Sequence, residues 1–76
     1  MTDSELLDEL ADILNATPGS LTPETPLDTL TWDSMALLAY LALLRFRFGK
    51  TLPGVSVNDF ATVGALMRAA RADDEQ

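Results

Sequence analysis

Leu30-Thr31-Trp32-Asp33-Ser34-Met35-Ala36-Leu37-Leu38-Ala39-Tyr40-Leu41-Ala42-Leu43-Leu44-Arg45-Phe46-Arg47-Phe48-Gly49 is the stretch on which the fold turns. Asp33 is a natural helix N-cap and Gly49 a natural stop, so a helix is expected from about Asp33 or Ser34 to Phe48. With Ser34 at 0° and roughly 100° added per residue, Leu37, Tyr40, Leu41, Leu44 and Phe48 fall on one broad side, from about 240° to 340°. Met35, Leu38, Ala39, Ala42 and Phe46 fall on another, from about 40° to 140°. A helix that is apolar nearly all round is either fully buried or meets a partner. Full burial is hard to arrange in 76 residues. The first side holds the larger residues and is the expected core face, which leaves the second available.

Outward from this helix, the flanking segments predict a small all-α protein. Thr2 and Glu5 have capping-box spacing, and Leu6, Leu7, Leu10, Ala11, Ile13 and Leu14 form a helical stripe, so a first helix is expected from about Asp3 to Asn15. Thr17-Pro18-Gly19-Ser20 reads as its stop. The segment from Ala16 to Trp32 is a long loop, with Pro18, Pro23 and Pro26. Its Leu21, Leu27, Leu30 and Trp32 are spaced too irregularly for helix or strand, and its leucines are expected to pin it across the helices. Ser56 to Phe60 predicts one short turn capped by Ser56. A last helix is expected from Thr62, as cap, to about Ala72, with Val63, Leu66, Met67 and Ala70 inward and Gly64 weakening it slightly. The predicted fold class is a small four-helix bundle, three main helices plus one short helix, with a long first loop. The whole of 1–76 reads as one domain with a frayed acidic tail at about 73–76.

Composition narrows the chemistry. The chain has 5 Lys+Arg against 12 Asp+Glu, net charge −7, with no His and no Cys. It therefore has no disulfide framework, no thiol nucleophile, and neither the commonest general base nor the commonest metal ligand. Ser34 has no histidine to take its proton, so a hydrolase triad is excluded. No glycine-rich phosphate cradle and no calcium-loop pattern is present. We therefore expect no catalytic residue and no metal site. The acidic balance (sequence pI ≈ 4.1) disfavours nucleic acid and anionic membrane surfaces. The longest uncharged apolar run, Met35 to Leu44, is about half a membrane span. The acidic N-terminus is unlike a signal or transit peptide, so the expected location is cytoplasmic.

Charge is uneven along the chain. Every charged residue through Asp33 is acidic, and the five cations, Arg45, Arg47, Lys50, Arg68 and Arg71, all follow. Cations near a helix C-terminus complement its dipole by about 0.3–1 kcal/mol each. They also suit a partner with an acidic or apolar patch.

Ser34 stands in the first turn of the central helix with its hydroxyl near solvent. Unpaired amides and the positive dipole end favour negative charge there, so a phosphodiester on Ser34 would be well placed. On local grounds alone, Asp-Ser before a helix is ordinary capping chemistry.

Asp33-Ser34-Met35 resembles the attachment motif of acyl and peptidyl carrier proteins, and the resemblance extends over nearly the whole chain. Leu21 to Leu30 is similar to the family's first loop, and Leu41 to Gly49 to its helix end with an aromatic at Phe48. Asp59-Phe60-Ala61-Thr62-Val63-Gly64-Ala65-Leu66 resembles the Asp-x-x-Thr-Val-x-x-Leu that begins its last helix. Two departures stand out. Thr31 replaces a common glycine, which puts weight on Trp32 as loop anchor or partner contact. Arg45-Phe46-Arg47 replaces the acidic helix end usual in fatty-acid carriers.

The resemblance implies a non-catalytic carrier. A phosphopantetheinyl transferase would link 4′-phosphopantetheine, from coenzyme A, to Ser34, with Asp33 as part of the motif. The arm's thiol would hold acyl or aminoacyl cargo as a thioester. The implied partners are a loading enzyme (an acyltransferase or an adenylation enzyme) and condensing, processing or offloading enzymes. They would meet Trp32, Met35, Leu38, Ala42, Arg45 and Phe46. A monomeric carrier in polyketide or nonribosomal peptide biosynthesis fits better than housekeeping fatty-acid synthesis. The alternative is an unmodified acidic helical adaptor that binds proteins through the same face.

Overall fold

The structure is a computed structural model and describes residues 2–71. Three α-helices form its frame: α1 (Asp3–Ile13), α2 (Ser34–Leu43) and α3 (Val63–Arg71). Short 3₁₀ turns occupy Leu27–Thr29 and Val57–Asp59, and among the described residues there is no strand beyond one isolated bridge, Pro26 to Thr62. This is the small all-α bundle that the patterning predicted, with the expected short helix at Ser56 to Phe60 reduced to the 3₁₀ turn Val57–Asp59. The expected tail at 73–76 and the expected helix end at Ala72 lie outside the described residues.

The first helix begins as expected. The Glu5 amide donates to Thr2 Oγ1 (3.1 Å) and the Thr2 amide to Glu5 Oε1 (2.8 Å), closing a capping box. The Thr2 amide, donating to the Glu5 carboxylate, holds its pKa below the ordinary value. The helix stops two residues earlier than predicted. Asn15 takes a left-handed conformation (φ 56°), and the Ala16 and Asn15 amides return to Ala11 O (2.8 Å) and Asp12 O (3.4 Å). This is a Schellman end with asparagine where glycine is commoner, so the helix is closed before Thr17-Pro18-Gly19-Ser20 is reached.

The second helix also departs from its expected form. It is α-helical only to Leu43, and Leu44–Phe48 forms a π turn. The Gly49 amide bonds five residues back to Leu44 O, Gly49 is left-handed (φ 62°), and the Lys50 amide reaches the same carbonyl at 3.1 Å. One carbonyl thus accepts the closing bonds of a turn one residue wider than an α turn. Lys50, just past this turn, is buried at 8% exposure.

The core lies between the helices. Leu6, Leu10 and Leu14 of the first helical stripe meet Leu37, Tyr40 and Leu44, with Val63, Leu66 and Ala70 closing the third side. Leu21 and Leu27 of the long loop are buried among them, and Leu30 and Trp32 pack at the edge. The loop's leucines therefore do hold it across the bundle. α1 packs on both other helices, and α2 is tied to α3 by the Tyr40 hydroxyl, which donates to Leu66 O at 2.7 Å.

Backbone bonds stitch the same loop to the start of α3. The Val63 amide donates to Thr25 O (3.0 Å), the Gly64 amide to Pro23 O (2.8 Å) and the Leu27 amide to Ala61 O (2.9 Å). Thr62 Oγ1 accepts from the Ala65 amide (3.2 Å), the cap predicted from sequence. The first-turn amides that a helix leaves without partners are therefore satisfied by the loop and the cap.

Gly64 has a role opposite to the one expected of it. A Cβ there would stand 2.7 Å from Pro23 O, so glycine is what lets the loop backbone close on the helix. Helix propensity alone makes Gly64→Ala stabilising by about 1 kcal/mol. The clash reverses the sign, and a net loss of about 1–3 kcal/mol is expected, read as a lower urea midpoint. A raised midpoint would show that the loop yields freely.

Burial pushes the Tyr40 phenol up from its ordinary value. The folded pKa lies above the unfolded one, so the neutral phenol's contribution is fully present below about pH 10 and is lost as pH rises through the folded value. Tyr40 is the only tyrosine. Tyrosinate absorbance is thus expected to appear together with loss of helical signal in an alkaline titration, and in Tyr40→Phe the onset of unfolding should move to higher pH than its neutral-pH stability would imply. Tyrosinate forming in the folded protein near pH 10 would contradict this.

Candidate functional site

The start of α2 is built differently from the start of α3. Asp33, extended at φ −139° and ψ −172°, caps the helix by accepting from the Ala36 amide at 2.9 Å. The Leu37 amide closes the first turn onto Asp33 O at 2.9 Å. Ser34 is the first helical residue and is exposed. Among the described residues, no acceptor meets the amides of Ser34 and Met35. Here the positive end of the helix is open to solvent, whereas at α3 the loop covers it.

Trp32 fixes the approach to Ser34. Its indole Nε1 donates to Val57 O at 2.8 Å. Its ring meets Tyr40 edge-on at 6.3 Å and Phe60 at 6.1 Å, and Tyr40 and Phe60 meet at 5.7 Å. Three edge-to-face pairs, each worth about 0.5–1.5 kcal/mol beyond buried area, join the loop before the serine to α2 and to the 57–60 turn. That turn is itself fixed by Ser56, whose amide donates to Asp59 Oδ2 at 2.8 Å. Trp32 therefore has the geometry of a loop anchor, one of the two roles its sequence position suggested.

The two faces of α2 and of the π turn that continues it separate as the periodicity required. Leu37, Tyr40 and Leu44 are buried and Leu41 and Phe48 partly so. Met35, Leu38 and Phe46 are 77%, 66% and 82% exposed, with Ala39, Ala42 and Arg45 exposed beside them. The two arginines of the helix end part company. Arg47 pairs with Glu9 at 2.8 Å, an exposed bridge worth no more than about 1 kcal/mol. Arg45 makes no ion pair among the described residues.

The described residues contain no group of three or more His, Cys, Asp or Glu placed to hold a metal. No helix among them is long and apolar enough to cross a membrane.

What the site offers is one solvent-facing hydroxyl at an open helix N-terminus, braced from below by a tryptophan and continued by an uncovered apolar face. The sequence profile of the phosphopantetheine attachment site family matches residues 4–70. The chain belongs to that family, whose members carry 4′-phosphopantetheine covalently. Comparison with curated proteins and with solved structures returned no significant match. The residues fit the group: Ser34 is exposed, and a phosphodiester there would stand beside the amides of Ser34 and Met35, which meet no acceptor among the described residues.

Proposed function

We propose that this protein is a non-catalytic carrier, a single domain that bears 4′-phosphopantetheine on Ser34 and presents thioester-linked acyl or aminoacyl cargo to partner enzymes. The observation that carries this reading is the exposed Ser34 at the start of α2, inside a chain matched to the attachment family over residues 4–70. When attached, the arm supplies the thiol that a chain without cysteine lacks. The residues of the chain do the rest. Asp33 holds the helix start, Trp32 steadies the loop before the serine, and the amides of Ser34 and Met35, without an acceptor among the described residues, would be available to a phosphate oxygen.

The partners in this reading are a phosphopantetheinyl transferase, a loading enzyme, and condensing, processing or offloading enzymes, meeting a monomeric carrier in the cytoplasm. The absence of any carboxylate from Ser34 through Asn58 supports a specialised polyketide or nonribosomal peptide pathway over fatty-acid synthesis. Trp32, Met35, Leu38, Ala42, Arg45 and Phe46 are the contact residues.

Incubation with coenzyme A and a broad-specificity phosphopantetheinyl transferase, followed by intact-mass measurement, tests the reading. A gain of one phosphopantetheine is expected, and none in Ser34→Ala. No gain under conditions that modify a control carrier would leave an unmodified helical adaptor.

A further inference from the structure

We propose that the exposed face of α2 docks a partner protein presenting an apolar strip edged by carboxylates, the opposite of what the net charge of this chain suggests. The proposal deepens the carrier reading by naming the chemistry of the partner.

The whole chain has net charge −7, so long-range attraction selects basic surfaces. Locally the sign is reversed. Residues 34–58 contain Arg45, Arg47 and Lys50 and no aspartate or glutamate. Two of these cations are already committed to the fold: Arg47 to Glu9, while Lys50 is buried at 8% exposure. Arg45 is left, exposed and without an ion pair among the described residues, beside Phe46 at the end of the strip begun by Met35 and Leu38. A groove of about 310 Å³, lined by Leu41, Ala42, Arg45, Thr51, Leu52 and Pro53, adjoins this end and gives a partner side chain a largely apolar seat.

A lysine or arginine brought to this end of the strip would meet Arg45 with no carboxylate between residues 34 and 58 to offset it. A carboxylate would pair with Arg45 while its apolar neighbours cover Leu38 and Phe46. At physiological ionic strength the screening length is about 8 Å, so the charges beside the strip set its sign; Glu9, the α1 acid that reaches this end, is already paired with Arg47 at 2.8 Å, which leaves the charge of Arg45 to act.

Two synthetic helical peptides with the same leucine stripe, one flanked by glutamates and one by lysines, would be titrated into the isotope-labelled full chain at physiological salt. We expect the glutamate peptide to bind about threefold tighter or more, with amide shifts at Met35, Leu38, Ala42 and Phe46, and Arg45→Glu to reverse the order. Equal or tighter binding of the lysine peptide, shifts on another surface, or no binding of either peptide would overturn the proposal. So would sedimentation showing the face covered by a second copy of the chain. The mass measurement at Ser34 is independent. A chain that takes no phosphopantetheine yet prefers the glutamate peptide would refute the carrier reading and support the docking surface, and the converse result would do the reverse.

Discussion

Replacing Tyr40 with alanine is expected to destabilise the bundle by about 3–5 kcal/mol, a large share of its total stability. Tyr40 is fully buried and is the largest side chain to be so. Truncating a buried aromatic costs about 3–5 kcal/mol, while a chain of this length has roughly 4–11 kcal/mol in all. Three features push this site toward the upper end. Its hydroxyl reaches Leu66 O at 2.7 Å and joins α2 to α3. Its ring is one of three that meet edge to face with Trp32 and Phe60, so its removal also loosens the loop ahead of Ser34. The space it leaves is bounded by three different helices, which cannot all collapse inward. Tyr40→Phe keeps the ring and removes one hydrogen bond, with an expected cost of about 1–2 kcal/mol. Urea unfolding followed by circular dichroism measures both. A loss below about 1 kcal/mol for Tyr40→Ala would mean that the rings contribute little to holding the bundle together.

The second large effect is on recognition and leaves stability almost untouched. Met35→Glu and Leu38→Glu change side chains that are 77% and 66% exposed. Surface changes of this kind move stability by about 0.5 kcal/mol or less. A carboxylate forced into the middle of an apolar contact costs far more, because it must be desolvated without a partner. The second-order rate constant for modification of Ser34 by the transferase is therefore expected to fall about tenfold or more in each variant, with an unchanged urea midpoint. Leu37→Glu provides the contrast. Leu37 lies on the same helix between these two residues but is buried, and its variant should fail to fold. Unaltered modification kinetics in the Met35 and Leu38 variants would remove this face from the transferase contact.

The contrast between Leu37 and Leu38 was already legible in the sequence. Adjacent residues on a helix point about 100° apart, so an apolar helix must divide its residues between faces, and the larger side chains go to the core. The capping box at Thr2 and Glu5, the caps at Asp33 and Thr62, and the inward set Val63, Leu66, Met67 and Ala70 were legible for the same reason. Each depends on steps of no more than four positions from one residue to the next. The early stop at Asn15 was missed because an asparagine in left-handed geometry carries a weaker signal than the Pro-Gly pair that follows it. The π turn was missed because its spacing over five residues is nearly that of an α-helix.

By itself, then, the sequence determined the helices, the two faces of α2 and the serine at its head, since these follow from local spacing and capping chemistry. Tertiary structure decided what depends on distant partners. It set the Pro23 carbonyl against Gly64, the Val57 carbonyl under Trp32, and Glu9 against Arg47, leaving Arg45 without an ion pair among the described residues. Residues separated by 25 to 41 positions have no periodicity between them, and only the packed chain brings them within hydrogen-bonding distance.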